Sequence, residues 1–141
     1  MADNFMGQVL RESIETRPLI GDVQALVNYL IPQMQHLRNE QVRVLYFSNH
    51  FGLIKDEVHA DGTPNAATLC VRSVISRCLE LGGTGLILAH NHPSGDPRPS
   101  AVDIATTHAV IDAGRLMGIT VHDHLIIGTG GHVSLRSKGL M

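Results

Sequence analysis

The feature that most constrains this chain is a polar loop between a strand and a helix, within residues 85–117. Residues 85–89 read GLILA, an apolar run of the kind that forms a strand covered on both faces. Residues 90–100 read HNHPSGDPRPS, and their three prolines restrict the backbone. Apolar residues then recur at helical spacing, which predicts a helix over residues 100–117. A buried strand that leads through a rigid loop into a helix indicates an α/β fold.

Residues with metal-ligand chemistry converge in this unit. His90 and His92 are two apart at the strand end, so their side chains point to the same side. Ser100 and Asp103 are three apart at the helix start and share a face. Because imidazole and carboxylate are usual zinc ligands, and three protein ligands leave a position for water, the pattern indicates a catalytic metal site. The alternative is a pair of solvated histidines beside a helix N-cap with an acidic first turn.

The remaining elements predict one mixed sheet flanked by helices. Asp22 is placed to cap a helix, and Pro32 is expected to end or kink it. Strands alternate with helices except for one hairpin at each end of the sheet-forming region. The predicted elements are a helix from residue 23 whose end, between residues 31 and 37, stays open, strands 41–48 and 53–60, helix 66–81, strand 84–89, helix 100–117, and strands 119–127 and 132–135.

Composition excludes several classes of protein. A chain of 141 residues with 43% hydrophobic residues suits one soluble domain. The net charge of −2, with scattered basic residues, does not favour nucleic-acid binding. No apolar run reaches the roughly 18 residues of a membrane span, and no signal-peptide pattern is present, so we expect a cytoplasmic protein without membrane association. Cys70 and Cys78, eight apart in a predicted helix, are expected to be buried free thiols.

The motif resembles a known family. His90-x-His92, seven residues and then Ser100-x-x-Asp103 is similar to the JAMM motif of the MPN+ metallopeptidases, and the longer HNHPSGDPRPS with the later DHLIIG looks like the RadC branch. The resemblance implies a single MPN (JAB/JAMM) domain with a curved mixed sheet in a cytidine-deaminase-like layout. It would occupy residues 19–141 after an N-terminal arm, residues 1–18, without the helix-hairpin-helix domain of typical relatives. It also implies one Zn²⁺ per chain, bound by His90, His92 and Asp103.

The resemblance further implies a glutamate as catalytic base and a serine that stabilises the oxyanion. The family's glutamate lies on an early strand shortly before a Gly-Thr pair, and Glu57, ahead of the Gly-Thr pair at 62–63, is the expected match. Asp56 is the neighbouring candidate, on the opposite face, and His59 shares the face of Glu57 as a bystander. Ser100 is expected to be the oxyanion donor.

The expected activity is zinc-dependent hydrolysis of a peptide or isopeptide bond in a peptide or protein substrate. The alternative is a DNA-repair or mobile-element accessory protein that uses the MPN fold as a binding module, and a metal-dependent nuclease is a weaker third hypothesis. Oligomeric state does not follow from the sequence. His122 and His124 repeat the His-x-His spacing around Asp123, for which a structural or second-shell role is favoured over a second metal site.

Overall fold

The computed structural model describes residues 22–64 and 66–141. This part of the chain forms three helices and five strands, in the predicted order. The helices are α1 (Val23–Met34), α2 (Val71–Glu80) and α3 (Ala101–Leu116). The strands are β1 (Gln41–Phe47), β2 (Leu53–Asp61), β3 (Gly85–Asn91), β4 (Thr120–Gly128) and β5 (Gly131–Ser134). The expected N-terminal arm, residues 1–18, lies outside the described residues.

The five strands form one mixed sheet in the order β2-β1-β3-β4-β5. β1 pairs antiparallel with β2 and β3, β3 pairs parallel with β4, and β4 pairs antiparallel with β5. β3 is therefore the central strand, and all seven of its residues are buried. An apolar run covered on both faces is what the GLILA sequence predicts. The α/β fold with a mixed sheet between helices is thus confirmed.

Alternation along the strands supplies both faces of the sheet with apolar side chains. One face packs on α1, whose Leu26 and Leu30 contact Leu45, Ile87 and other odd-numbered strand residues. The opposite face, which includes Val44 and Leu88, packs on α2 and α3. The two layers of helices fix the sheet, and with it the ends of β1 and β3, where the predicted site begins.

The structure defines one helix end that the sequence left open and moves one predicted helix start. Pro32 lies inside α1, which continues to Met34. The helix expected from residue 66 begins only at Val71, because Thr63 and Ala66 form a local turn and Cys70 has extended backbone angles. Cys70 is accordingly exposed rather than buried, whereas Cys78 is a buried free thiol as predicted. None of the helices in residues 22–64 and 66–141 is long and apolar enough to span a membrane.

Candidate metal centre

Two histidines and a glutamate meet at the end of the central strand. His90 is 3% exposed and Glu40 is 6% exposed. Nε2 of His90 lies 2.5 Å from Oε1 of Glu40, and Nε2 of His92 lies 3.8 Å from the same oxygen. One potential ligand atom from each residue lies within 4.8 Å of the others, so this buried group could hold a metal ion. The structure therefore brings the predicted histidine pair together with a carboxylate that the sequence analysis did not select.

Asp103 adds a second carboxylate from the start of α3. Its Oδ2 lies 3.1 Å from Nε2 of His92, and its Oδ1 lies 3.6 Å from Nδ1 of His90. Ser100 and Asp103 form a capping box, in which Ser100 N donates to Asp103 Oδ2 and Asp103 N donates to Ser100 Oγ. The N-cap role and the position beside the histidines thus coexist, since the same cap aims the Asp103 carboxylate at them.

Electrostatics keep Asp103 ionised. Burial by itself would raise the pKa of this carboxyl, but hydrogen bonds from His92 and the Ser100 backbone, together with His90, outweigh burial and hold the pKa well below its usual range. The hydrogen bond to Asp103 in turn raises the pKa of His92. Nδ1 of His92 donates to the Asp96 carbonyl at 2.9 Å, which fixes the ring and turns Nε2 toward the carboxylates. This is the usual outer support of a metal-binding histidine.

The structure does not bring Glu57 to this site. Glu57 lies on β2, opposite Val44, and β1 separates it from the strand that carries the histidines. Arg77 from α2 binds its carboxylate with nitrogen–oxygen distances of 3.0–3.2 Å and lowers its pKa. His59 lies 3.5 Å from the same carboxylate and bonds Tyr46 Oη at 2.6 Å. The expected placement of Glu57 beside the metal is therefore corrected, and Glu40 occupies that place.

Strand register explains why Glu40 reaches the histidines. Val42 pairs with His90 in the antiparallel β1–β3 ladder. Extending this register by two residues along each strand sets Glu40 opposite His92, and even-numbered positions share one face. The signal in the sequence is a carboxylate one residue before the first strand. This carboxylate could be assigned to the site only by a reader who already knew that β1 is the antiparallel neighbour of β3.

Asn91 holds the backbone on both sides of this glutamate. Its side chain accepts from Gln41 N at 2.7 Å and donates to the Asn39 carbonyl at 3.0 Å. The backbone of Glu40 itself pairs with residues 62–63 through two 2.8 Å bonds. The Gly-Thr pair therefore meets Glu40 across the hairpin, whereas the resemblance implies a glutamate shortly before this pair along the same strand.

His124 forms a further buried layer beneath His90. Its ring centroid lies 5.6 Å from that of His90, and burial lowers its pKa to about 3. Its Nδ1 lies 2.6 Å from Thr107 Oγ1, which also bonds the Asp103 carbonyl at 2.7 Å. His122 does not share this environment: it lies at a β-bulge opposite residues 86–87 and packs on Phe51. Neither His122 nor His124 belongs to the candidate metal group found among the described residues.

Asp123 has a structural role at the other side of β4. It is buried and accepts hydrogen bonds from Ser134 Oγ at 2.6 Å, from His124 N at 2.7 Å and from Arg136 N at 3.1 Å. These bonds join β4 to β5 and to the segment that follows it. This role agrees with the structural reading of the His122–His124 cluster.

The site opens into a cleft of about 380 Å³. Glu40, His92 and Asp103 line it together with Ser100. The other lining residues are small or apolar and come from the two flanking loops and the start of α3: Pro64, Ala66, Ala67, Pro93, Ser94 and Val102. The predicted site residues other than Glu57 are thus close together: His92, Ser100 and Asp103 line the cleft, and His90 is buried behind it.

The donor set fits a divalent metal. Two carboxylates and two imidazoles converge, and nitrogen and oxygen ligands of this kind suit zinc and related ions. In the present contacts Glu40 and Asp103 accept hydrogen bonds from the imidazole N–H groups of His90 and His92. A bound cation would replace the protons that now lie between these carboxylates and imidazoles. Nδ1 of His90 is buried without a hydrogen-bond partner among the described residues, as is Nε2 of His124. Unsatisfied buried nitrogens of this kind are rare and call for an explanation, which the arrangement of the His90 and His124 rings must supply.

Comparison with known proteins agrees with this geometry. The family profile described as RadC-like JAB domain matches residues 20–140. A UPF0758 protein of Rhodobacter capsulatus is 42% identical over 134 residues, which cover 95% of this chain and 63% of that relative. The chain therefore spans less than two thirds of the length of this curated relative. With nearly the whole chain matched and the histidine, serine and aspartate motif gathered at one site, the chain belongs to the RadC-like JAB domain family.

Proposed function

We propose that this chain is a zinc-dependent amide hydrolase that cleaves a peptide or isopeptide bond. Family membership and the buried group of Glu40, His90 and His92 support a JAMM-like metal-dependent hydrolase. The observation that carries the proposal is the convergence of this group with Asp103 on the cleft. One Zn²⁺ per chain is proposed, because the donors form a single cluster.

His90, His92 and Asp103 are the proposed metal ligands. The capping box orients Asp103, and the Asp96 carbonyl orients His92, so both are held before any metal binds. Zinc in such a site supplies a Lewis acid and lowers the pKa of a water molecule. A carboxylate that stays ionised is suited to bind it, and the depressed pKa of Asp103 meets that requirement.

Glu40 is the proposed general base. It lines the cleft beside His92, and its backbone is held by residues 62–63 and by Asn91 on both sides. A carboxylate in this position would accept the proton of the attacking water and return it to the leaving amine nitrogen. Ser100, also on the cleft wall, is the proposed donor to the oxyanion, an interaction worth about 3–4 kcal/mol for one donor.

The substrate is proposed to be an extended peptide or protein segment. The walls on both sides of the polar floor consist of small and apolar side chains, and Val102 at the rim is 71% exposed. Such walls suit a polypeptide backbone with small side chains near the cleaved bond. The net charge of −2 gives no support to a nucleic-acid partner.

Metal analysis tests the site. Protein purified without chelators, and then supplied with zinc, is expected to bind one zinc per chain. His92→Ala and Asp103→Ala are expected to reduce the bound zinc strongly while circular dichroism shows a retained fold. A wild-type chain that binds no zinc would contradict the proposal and would favour the binding-module hypothesis.

The two glutamates then provide a matched pair for activity. Glu40→Gln is expected to abolish hydrolysis of a peptide or isopeptide library with zinc still bound. Glu57→Gln, which weakens the contacts with Arg77 and His59 outside the cleft, is expected to leave turnover within about twofold, since a partly exposed ion pair contributes little. If both variants retain full activity, Glu40 is not the base. If Glu40→Gln loses its zinc, Glu40 is a ligand instead.

A further inference from the structure

The Thr107 hydroxyl determines which nitrogen of His124 carries a proton. This hydroxyl lies 2.7 Å from the Asp103 carbonyl oxygen and 2.6 Å from His124 Nδ1. A carbonyl oxygen only accepts, so the single hydroxyl hydrogen is donated to it. The hydroxyl oxygen must then accept from His124, whose Nδ1 is therefore the N–H nitrogen.

The other nitrogen of His124 is consequently a buried lone pair. His124 is 4% exposed, and its Nε2 has no hydrogen-bond partner among the described residues. A second ring proton would place a charge and an unpaired donor in this buried position, which is costly. The neighbouring ring, 5.6 Å away between centroids and tilted by 34°, is that of His90. His90 also carries an unpartnered buried nitrogen, Nδ1.

Binding of a metal through Nε2 would change which nitrogen of His90 carries a proton. In the present contact, Nε2 of His90 faces Oε1 of Glu40, and a carboxylate accepts the Nε2 proton. A neutral histidine that binds a metal through Nε2 holds its proton on Nδ1 instead, and that N–H needs an acceptor. His92 has such an acceptor in the Asp96 carbonyl. For His90, Oδ1 of Asp103 lies 3.6 Å away and belongs to a carboxylate proposed to bind the metal.

We propose that Nε2 of His124 is the acceptor for the proton that His90 carries on Nδ1 when His90 binds the metal through Nε2. His124 is then a positioning residue, which acts on the metal centre through the orientation and proton of His90. The Thr107 hydroxyl fixes the His124 ring so that its Nε2 lone pair is available. The same hydroxyl donates to the Asp103 carbonyl and so connects His124 to the helix turn that carries Asp103. This inference rests on the metal centre proposed above.

Zinc affinity provides the first test. Competition with a chromophoric chelator is expected to show zinc binding weakened about 10- to 100-fold in His124→Phe, the usual effect of removing the partner of a metal-binding histidine. Thr107→Val is expected to weaken binding in the same direction, because the lock on the His124 ring is lost. Thr106→Val, the same change one position earlier in α3, is the control and should bind zinc like the wild type. Thermal unfolding of each apo variant separates lost affinity from lost fold.

Nitrogen-15 NMR of the histidine rings provides the second test and does not depend on activity. The apo protein should show His124 with a protonated Nδ1 and a bare Nε2. Zinc should produce a slowly exchanging proton on His90 Nδ1, which is absent in a folded His124→Phe variant. If wild type binds zinc and either the His124 tautomer is reversed or affinity in His124→Phe is unchanged, the proposal is overturned while the metal centre stands. If wild type binds no zinc, both fail.

Discussion

Gly128, the last residue of β4, offers a way to disturb the site from a distance. A Cβ at this position would lie 2.4 Å from the carbonyl oxygen of Gly95 and 2.9 Å from its carbonyl carbon. Gly95 belongs to the loop that follows His92 and has a left-handed φ of 94°. Both obstacles are backbone atoms, so Gly128→Ala cannot be accommodated by a side-chain rotation and must displace the loop.

The expected magnitude follows from two distances. Restoring ordinary contact requires a shift of about 1 Å, since carbon contacts are optimal near 3.5 Å. The adjacent Asp96 carbonyl accepts from His92 Nδ1 at 2.9 Å, and a shift of this size would break that bond. Loss of such support for a metal-binding histidine reduces metal affinity by about 10- to 100-fold. Overpacking should also lower the free energy of unfolding by about 1–3 kcal/mol.

The assay is zinc affinity by chelator competition, with urea unfolding of the apo protein in parallel. Gly114→Ala is the control: its Cβ would lie 2.8 Å from the backbone oxygen of Ile119, at the far end of α3. It should lose stability to a similar degree and bind zinc normally. If Gly128→Ala loses stability but binds zinc within twofold of the wild type, the reasoning that the loop positions His92 is refuted.

Three further predictions concern other parts of the molecule. Ser100→Ala should lower the free energy of unfolding by about 1 kcal/mol through the lost N-cap and reduce kcat by about 10²- to 10³-fold; unchanged kcat would exclude the oxyanion role. Arg77→Met should lower the free energy of unfolding at pH 7 only slightly, measured by urea unfolding, because a partly exposed ion pair contributes little. Arg77 lowers the pKa of Glu57 from 4.5, so the difference in free energy of unfolding between wild type and Arg77→Met should be full above pH 4.5 and disappear as the pH falls through the lowered pKa. A difference that does not change with pH would contradict the pairing of Arg77 with Glu57. Cys70 should react rapidly with a thiol reagent, because it is exposed and a hydrogen bond with Ser73 lowers its pKa. Cys78 is buried and should react only on unfolding, so two rapidly reacting thiols would show that Cys78 is accessible.

The order of elements follows from the sequence because each signal is local. Strand β3 is apolar at nearly every position, and Ser100 with Asp103 three residues later forms the predicted cap. The sequence does not determine the end of α1: a proline in the last turn of a helix costs only one late backbone bond, so the helix continues past Pro32 to Met34. The late start of α2 arises from a turn stabilised by the Thr63 side chain, which helical periodicity does not reveal.

The candidate site was predictable as far as it is local in sequence. The two histidines and Asp103 lie within one strand–loop–helix unit and come together as expected. The glutamate is different, because its place depends on which strands are neighbours. Proximity to a Gly-Thr pair along the chain selected Glu57, whereas pairing across the hairpin places Glu40 there. Strand order is a tertiary property, and the alternation of side chains does not encode it.

The burial of every residue in β3 distinguishes the proposed ligand His90 from the walls of the cleft. His90, one of the proposed metal ligands, belongs to the strand whose amides should exchange with solvent only when the whole domain unfolds, so its position should persist for as long as the fold does. The cleft walls instead come mainly from the loops around Ala66 and Pro93, outside the sheet. Under the proposed hydrolase function, substitutions in those loops should alter substrate preference while leaving the strand that carries His90 intact.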